Sequence, residues 1–240
     1  MKIAWLSDIH GNARALKAVL NDIEKQQVNE INVLGDLVFR GPEPKNALET
    51  VRSLPAGVIQ GNADLWVVRG IQNGEVPDKA RPLMQQENEW TVERLTEDDL
   101  NYLERLPHSI TKDVHHLKFH AFHAIPGDLF HPVKREDSTD EKRKFILEQA
   151  DADVYIYGHV HTPYVETIDD KTLINTGSVG LPFDGDSRPS YVITDLSDGK
   201  LTTEIRRVDY DYNKVLLQYD ANDYPNSEQM KSIISTGRIN

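Results

Sequence analysis

The sequence predicts an α/β fold, and three observations carry that expectation. An apolar strand, an amphipathic helix and a second apolar strand follow one another within the first 34 residues, the order that builds a parallel sheet. Five short apolar runs each end on a residue able to hold a metal ion: Asp8, Asp36, Asn62, His123 and His159. Strand-like runs return after residue 170, which points to a second sheet.

Residues 2–7 (KIAWLS) read as a buried strand that ends at Asp8. Asn12 then caps a helix in which Leu16, Leu20 and Ile23 fall on one face. Residues 31–34 (INVL) form the second strand and end at Gly35-Asp36. Residues 44–54 suit the next helix, and residues 57–60 a third strand ending at Gly61-Asn62. Residues 65–106 carry Trp66, Trp90 and many charges without a strand pattern. Within them Thr96 and Asp99 match a capping box, followed by Leu100, Leu103 and Leu106. This region reads as a helical insertion beside the site, with ordinary covering helices as the alternative. Residues 117–122 form a strand ending at His123, residues 140–150 a helix, and residues 154–157 a strand ending at Gly158-His159. Residues 172–174, 191–194 and 201–208 are expected in a second, more antiparallel sheet. From Tyr210 the chain is charged and partly helical. The expected organisation is one domain over residues 1–209 and a helical tail over 210–240.

Bulk composition narrows the chemistry. A chain of 240 residues buries roughly three-quarters of its unfolded surface and needs no covalent staples. It has no cysteine, so disulfides and thiolate metal sites are excluded and any metal must sit on nitrogen and oxygen. The net charge of −12, from 27 basic and 39 acidic residues, is the wrong sign for a general nucleic-acid binder or for an anionic membrane surface. The opening MKIAWLSDIHGN has too few apolar residues for a signal-peptide core. No run of about 20 apolar residues exists to cross a membrane. A cytoplasmic enzyme is the expectation.

The chemistry lies in the strand ends, because ligands of open α/β sheets bind outside the carboxyl ends of the strands. Asp8 and His10 are two apart, so an extended segment points both the same way. His159 and His161 share that spacing and follow Gly158, which permits a tight turn. His120 and His123 are three apart and face opposite sides of a regular strand; His123, at its end, is the candidate. Each signal alone has a plain reading: a polar residue after a strand is usually a turn former, and a lone histidine is usually structural. All five in order resist that reading. His108, His115, His116, His120 and His131 are assigned to the surface or to supporting roles.

The motifs SDIHGN, GDLVFRGPEP, GNAD, FHAIPGD, YGHVHTP and INTGSVGLPFDGDSRPSY span residues 7–191. In combination they resemble the calcineurin-like metallophosphoesterase superfamily, and in particular its small bacterial branch of phosphodiesterases and diadenosine tetraphosphatase-like proteins. The resemblance implies a four-layer α-β-β-α sandwich of two mixed sheets flanked by helices. It implies that Asp8, His10 and His161 hold one metal, that Asn62, His123 and His159 hold a second, and that Asp36 bridges them. Asp36, Asn62 and His123 would then hold the attacking hydroxide and the phosphate. Two metals ~3.5–4 Å apart clamp a phosphoryl group and lower the pKa of bound water to ~7. Imidazole and carboxylate ligands suit manganese, iron, zinc or nickel alike.

One departure matters. Many relatives carry histidine where this chain has Ala63, and that histidine helps protonate the leaving oxygen. Losing a general acid costs ~10²–10⁴-fold in rate when the leaving group is poor. Ala63 therefore favours phosphodiesters with good leaving groups, or phosphoanhydrides such as nucleotides and dinucleoside polyphosphates. Arg40, after the Asp36 loop, suits a substrate phosphate through its planar fork; a solvated loop arginine is the alternative. Arg188 is expected in an ion pair with Asp184 or Asp186; Asp64 suits a helix cap, or the orientation of a histidine introduced at position 63. The glycine-rich turn NTGSVG (residues 175–180) lacks a P-loop lysine and reads as a tight connection close to the site. No GxGxxG follows the first strand, against a dinucleotide-binding dehydrogenase. Two rival readings stand beside the enzyme: a non-catalytic metal- or nucleotide-binding regulator, suggested by Ala63, and a nuclease, opposed by the acidic balance.

Overall fold

The apolar run at the start folds as β1 (Lys2–Leu6), buried on both faces. Its side chains alternate: Ile3 and Trp5 enter one core, Ala4 and Leu6 another. The computed structural model describes residues 1–197 and 199–239. The strands that follow are β2 (Glu30–Val33), β3 (Ala56–Val58), β4 (Ser109–Val114), β5 (Leu117–Phe122), β6 (Val154–Tyr157), β7 (Tyr164–Ile168), β8 (Lys171–Asn175), β9 (Ser190–Ser197) and β10 (Lys200–Arg207). They form two five-stranded mixed sheets, ordered β10-β9-β1-β2-β3 and β4-β5-β6-β8-β7.

In the first sheet β1 runs parallel to β2, with Ala4 opposite Ile31, and β2 runs parallel to β3. The crossovers are α1 (Ala13–Gln26) and α2 (Pro44–Ser53). Asn12 caps α1, its side chain accepting the Ala15 N–H at 3.0 Å. Leu16, Val19 and Ile23 of α1 and Leu48 of α2 cover Ala4, Leu6 and Val33. The two sheets pack face to face through Ile3, Trp5, Phe119 and Ile156. Trp5 stacks on Phe119 with ring centroids 6.1 Å apart, and its indole N–H donates to Thr194 Oγ1 at 2.8 Å. The outer face of the second sheet, with Tyr155 and Tyr157, lies under Ile146 and Leu147. The result is the four-layer sandwich.

Helices α3 (Asn62–Arg69), α4 (Arg81–Val92) and α5 (Glu97–Glu104) occupy the stretch between the sheets in sequence. The expected capping box opens α5: Thr96 Oγ1 accepts the Asp99 N–H and Asp99 accepts the Thr96 N–H at 2.9 Å. After β10 come α7 (Tyr212–Ala221) and α8 (Ser227–Thr236), whose Val215, Tyr219, Met230 and Ile233 pack with Trp90 and Leu181. Tyr219 Oη donates to the Arg40 carbonyl at 2.7 Å, and Asn222 Nδ2 to that of Pro42 at 2.9 Å. The C-terminal helices thus pin the loop after β2. No helix among the described residues is long and apolar enough to cross a membrane.

Three expectations change. Strands β9 and β10 do not join the second sheet. β9 pairs antiparallel with β1, Ala4 facing Ile193, and β10 pairs with β9. The reason is the loop after β8: Val179 N–H donates to Ser7 O and Gly180 N–H to Asp8 O, so the chain crosses over the end of β1 and returns along its free edge. Strands β4 and β7, not expected, are the two edges of the second sheet. Polar residues interrupt both strands and leave no apolar run. The helix expected over 140–150 is one α-turn, α6 (Thr139–Lys142), continued by a π-helical segment over Arg143–Leu147.

Candidate metal centre

The carboxyl ends of β1, β2, β5 and β6 meet along the seam between the sheets. The turns there are tight. Asp8, His10, Asp36, His159 and His161 all adopt left-handed backbone, with φ of 56°, 46°, 55°, 64° and 56°. Such non-glycine residues cost of order 1–3 kcal/mol each and gather at functional sites. The extended geometry expected for Asp8 and His10 is therefore wrong, although their side chains do converge. Gly158 also acts differently from expectation. It does not take a positive φ; a Cβ there would collide with Ser7 Oγ and Asp8 Oδ2. Gly158 is needed for close approach. Gly61 is alike, for a Cβ would strike the Asp36 carboxylate.

Asp8, His10, Asp36 and His161 are buried and offer four ligand atoms within 4.8 Å of one another. His10 Nδ1 lies 2.8 Å from Phe39 O, and His161 Nδ1 lies 2.5 Å from Leu181 O. A carbonyl only accepts, so both Nδ1 atoms carry the hydrogen and each neutral ring turns an Nε2 lone pair inward. Those two Nε2 atoms are 3.2 Å apart. Asp8 Oδ1 is 3.0 Å from His161 Nε2 and 3.7 Å from His10 Nε2, yet accepts no hydrogen bond. Acceptors facing acceptors in a buried space need a proton or a cation between them. The donor set, imidazole with carboxylate, fits a borderline divalent metal.

A second group sits beside the first. His123 Nδ1 is 2.7 Å from Leu34 O, which turns Nε2 towards Asn62 Oδ1 at 2.9 Å. His159 Nε2 is 3.1 Å from Phe130 O, which turns Nδ1 towards the same Asn62 oxygen at 2.9 Å. Asp36 stands between the groups. Its Oδ2 is 3.7 Å from His10 Nε2, and its Oδ1 is 3.5 Å from His123 Nε2. The loop holding it is fixed by Asp64, whose carboxylate accepts the backbone N–H groups of Asp36, Leu37 and Gly61 at 2.8, 2.8 and 2.9 Å.

Electrostatics follow from this crowding. Burial opposes ionisation of Asp8, but His161 and His10 outweigh it and hold the carboxyl well below the usual range. Burial also opposes ionisation of Asp36, and His123 outweighs it. Burial works against a charged His123 too, yet Asp36 and Asp8 raise it to about 10. His159 is pushed down to about 4 by burial and by the charge of His123. Two buried carboxylates thus stay ionised and draw positive charge into the seam.

All seven candidates come together here. The other candidates have partners of their own. Arg40 Nε is 3.2 Å from Glu87 Oε2, and Glu87 is fully buried, so Arg40 is ion-paired rather than freely solvated. Arg188 pairs with Asp186 at 2.6 Å, as expected, while Asp184 pairs with Arg207. His120 bonds Thr111 Oγ1 at 2.7 Å, and the His131 ring packs on Phe145. Sequence reasoning missed the four carbonyls, of Leu34, Phe39, Phe130 and Leu181, that orient the histidines. Every residue has a carbonyl, so no signal marks them. It also missed Phe183, stacked on His161 at 4.1 Å, and Ser178, whose hydroxyl donates to Asp8 O at 2.8 Å.

Residues 1–199 match the calcineurin-like phosphoesterase superfamily domain. An uncharacterized protein of Methanocaldococcus jannaschii is 33% identical over 242 residues, covering 93% of either chain. A symmetrical bis(5'-nucleosyl)-tetraphosphatase of Serratia proteamaculans is 32% identical over 113 residues, 45% of this chain and 38% of that protein. Among solved structures, a metallophosphoesterase from Sphaerobacter thermophilus superposes with a TM-score of 0.79 at 28% identity, covering 99% of both chains. A hypothetical protein from Pyrococcus horikoshii shares the fold, with a TM-score of 0.85 at 19% identity over 98% of both chains.

Proposed function

The chain belongs to the calcineurin-like phosphoesterase superfamily of metal-dependent phosphoester hydrolases, and on that premise we propose that it cleaves phosphodiesters or phosphoanhydrides, nucleotides and dinucleoside polyphosphates among them, with two metal ions. Asp8, His10 and His161 would hold the first ion, Asn62, His123 and His159 the second, and Asp36 would lie between them. The observation that carries this reading is the division of the Asp36 oxygens, Oδ2 towards His10 and Oδ1 towards His123. A carboxylate placed so would have one oxygen to offer each of two cations.

When bound, the ions would supply charge neutralisation at the phosphoryl group and a lowered water pKa. The chain's own residues prepare the place. The carbonyls of Phe39, Leu181, Leu34 and Phe130 fix the ring nitrogens that face inward. Asp36, Asn62 and His123 are the residues assigned to holding the attacking water and the phosphate. Ala63 is buried, and its backbone N–H donates to Asp36 Oδ1 at 2.8 Å. Its methyl group has no proton to give a leaving oxygen, which supports substrates whose leaving group departs without one. The part-match to a bis(5'-nucleosyl)-tetraphosphatase supports a nucleotide substrate. Arg40 is assigned to the substrate phosphate, with Glu87 as its anchor.

Manganese, iron, zinc and nickel all suit the ligands, and the protein is assigned to the cytoplasm. We assign residues 1–209 to the catalytic domain, with α3, α4 and α5 as its helical insertion (about 65–106), and the residues from 210 to a helical tail. Elemental analysis of the purified protein and its turnover of bis(p-nitrophenyl) phosphate with added manganese test the function. About two metal equivalents and metal-dependent turnover are expected. One equivalent or none after loading, with no turnover, removes it.

A further inference from the structure

Beside His159 the surface opens into two adjoining cavities of about 310 and 630 Å³. Arg135, Glu136, Thr162, Phe183 and Ile239 line both, and His159 itself borders the smaller. The inner wall is Phe183, whose ring stacks on His161 at 4.1 Å. The cleft therefore lies directly against the candidate metal centre, with His159 shared between them. Its size falls in the range of small-molecule pockets, ~300–1,000 Å³.

The charges on this cleft run against the rest of the chain. The protein carries −12 overall, so most of its surface repels anions. Here Lys134, Arg135 and Arg238 line the walls, and the charged groups of their side chains make no ion pair or hydrogen bond with another described residue. Opposing them, Asp184 is already paired with Arg207, which leaves Glu136. The backbone just before Arg238 is tied to the cleft: the Gly185 N–H donates to Gly237 O at 2.8 Å. Apolar Pro132, Val160, Phe183 and Ile239 share the same walls.

We infer that this cleft is the subsite for the remote part of the substrate, and that it takes a second anionic group carried on a flat, apolar moiety. The inference rests on the phosphoesterase reading of the adjacent centre. Arginine forks bind a phosphate by paired, charge-assisted hydrogen bonds. An aromatic wall beside them suits a heterocycle. A substrate whose scissile phosphorus lies at the metal centre would lay its further phosphate and base along this cleft. Inorganic phosphate, too short to reach it, would gain nothing from these side chains.

The test compares ADP with inorganic phosphate by calorimetry, on the wild-type protein as purified and on the Arg135→Ala/Arg238→Ala double variant. Both side chains are exposed, so the fold should be kept, and thermal melting checks it. The wild type should bind ADP more tightly than phosphate. In the double variant that preference should fall about tenfold, the effect of roughly one charge-assisted contact. A preference left intact in the variant overturns the subsite, as does a wild type that binds ADP no better than phosphate. Binding requires no turnover, so this outcome is separate from failure of the hydrolytic reading, which appears in metal content and catalysis.

Discussion

His10 Nε2 and His161 Nε2 face each other at 3.2 Å while both Nδ1 atoms are committed to carbonyls. Two neutral imidazoles in this pose repel. The fold holds them there by two strand-end turns from different sheets, and only positive charge between them makes the arrangement favourable. Proton and metal are therefore competitors for one space.

From that competition comes an opposite pH response for the metal-free and metal-loaded protein. His123, raised to about 10 from an ordinary value of ~6.5, stabilises the metal-free fold fully below ~6.5 and loses that contribution as pH rises towards 10. His10, raised for the same reason by Asp8 and Asp36 against burial, adds to the trend. Between pH 7 and 9 the chelated protein should lose at least ~2–4 °C of melting temperature, the response of a chain this size to ~1 kcal/mol. With manganese the melting temperature should hold or rise, because deprotonated rings bind metal better. Parallel curves with and without chelator would contradict the metal assignment.

Asp36→Asn should reduce bound metal well below two equivalents and cut turnover at least ~10²-fold, since it removes the shared charge from both groups. Elemental analysis and steady-state rates decide it. A variant with full metal and full activity would show that Asp36 is not the bridge.

How much of this was legible beforehand depends on what each residue's role requires. The ligand-type residues were readable because each stands at the end of an apolar run. β6 was placed at its observed bounds because it is apolar throughout. β4 and β7 were not, because an edge strand needs few apolar side chains. The partner of β9 was unreadable for another reason: alternation says which face is buried and not which strand lies alongside. The backbone at Asp8 and His10 was misjudged because a two-residue spacing fits an extended segment and a pair of left-handed turns equally well.

The leaving-group dependence should be steep. Ala63 supplies no proton, so aryl diesters and phosphoanhydrides should outpace alkyl monoesters by ~10²-fold or more. The slope of log rate against leaving-group pKa measures this, and a shallow slope would mean that another residue donates. Ala63→His is expected to reduce stability, because Ala63 is buried among Trp66 and Val67 and overpacking costs ~1–3 kcal/mol. Where the variant folds, poor leaving groups should benefit most.

Thr96→Ala removes the cap of α5 and should cost ~1 kcal/mol, read as a fall of ~2–4 °C in melting temperature. Its partner Asp99 also accepts hydrogen bonds from Lys45 Nζ at 2.6 Å and Arg52 Nη1 at 2.9 Å. Burial opposes its ionisation, but Lys45 and Thr96 hold it at about 2. Its contribution is present above ~3.9 and disappears as pH falls towards 2. Asp99→Asn should flatten the acid limb of the stability curve; an unaltered limb would assign that limb to other carboxylates.

The crossing of the chain over Ser7 and Asp8 has a consequence for synthesis. β1 is made well before β9, which pairs with one of its two edges, and Asp8 and His10 are made well before His161. Until about residue 197 has emerged β1 keeps one unpaired edge, and until His161 has emerged the candidate ligand set is incomplete. A metal that needs His161 can be held only after that residue has been made. The interval before it is when this chain is most exposed to wrong strand pairing and most in need of a chaperone.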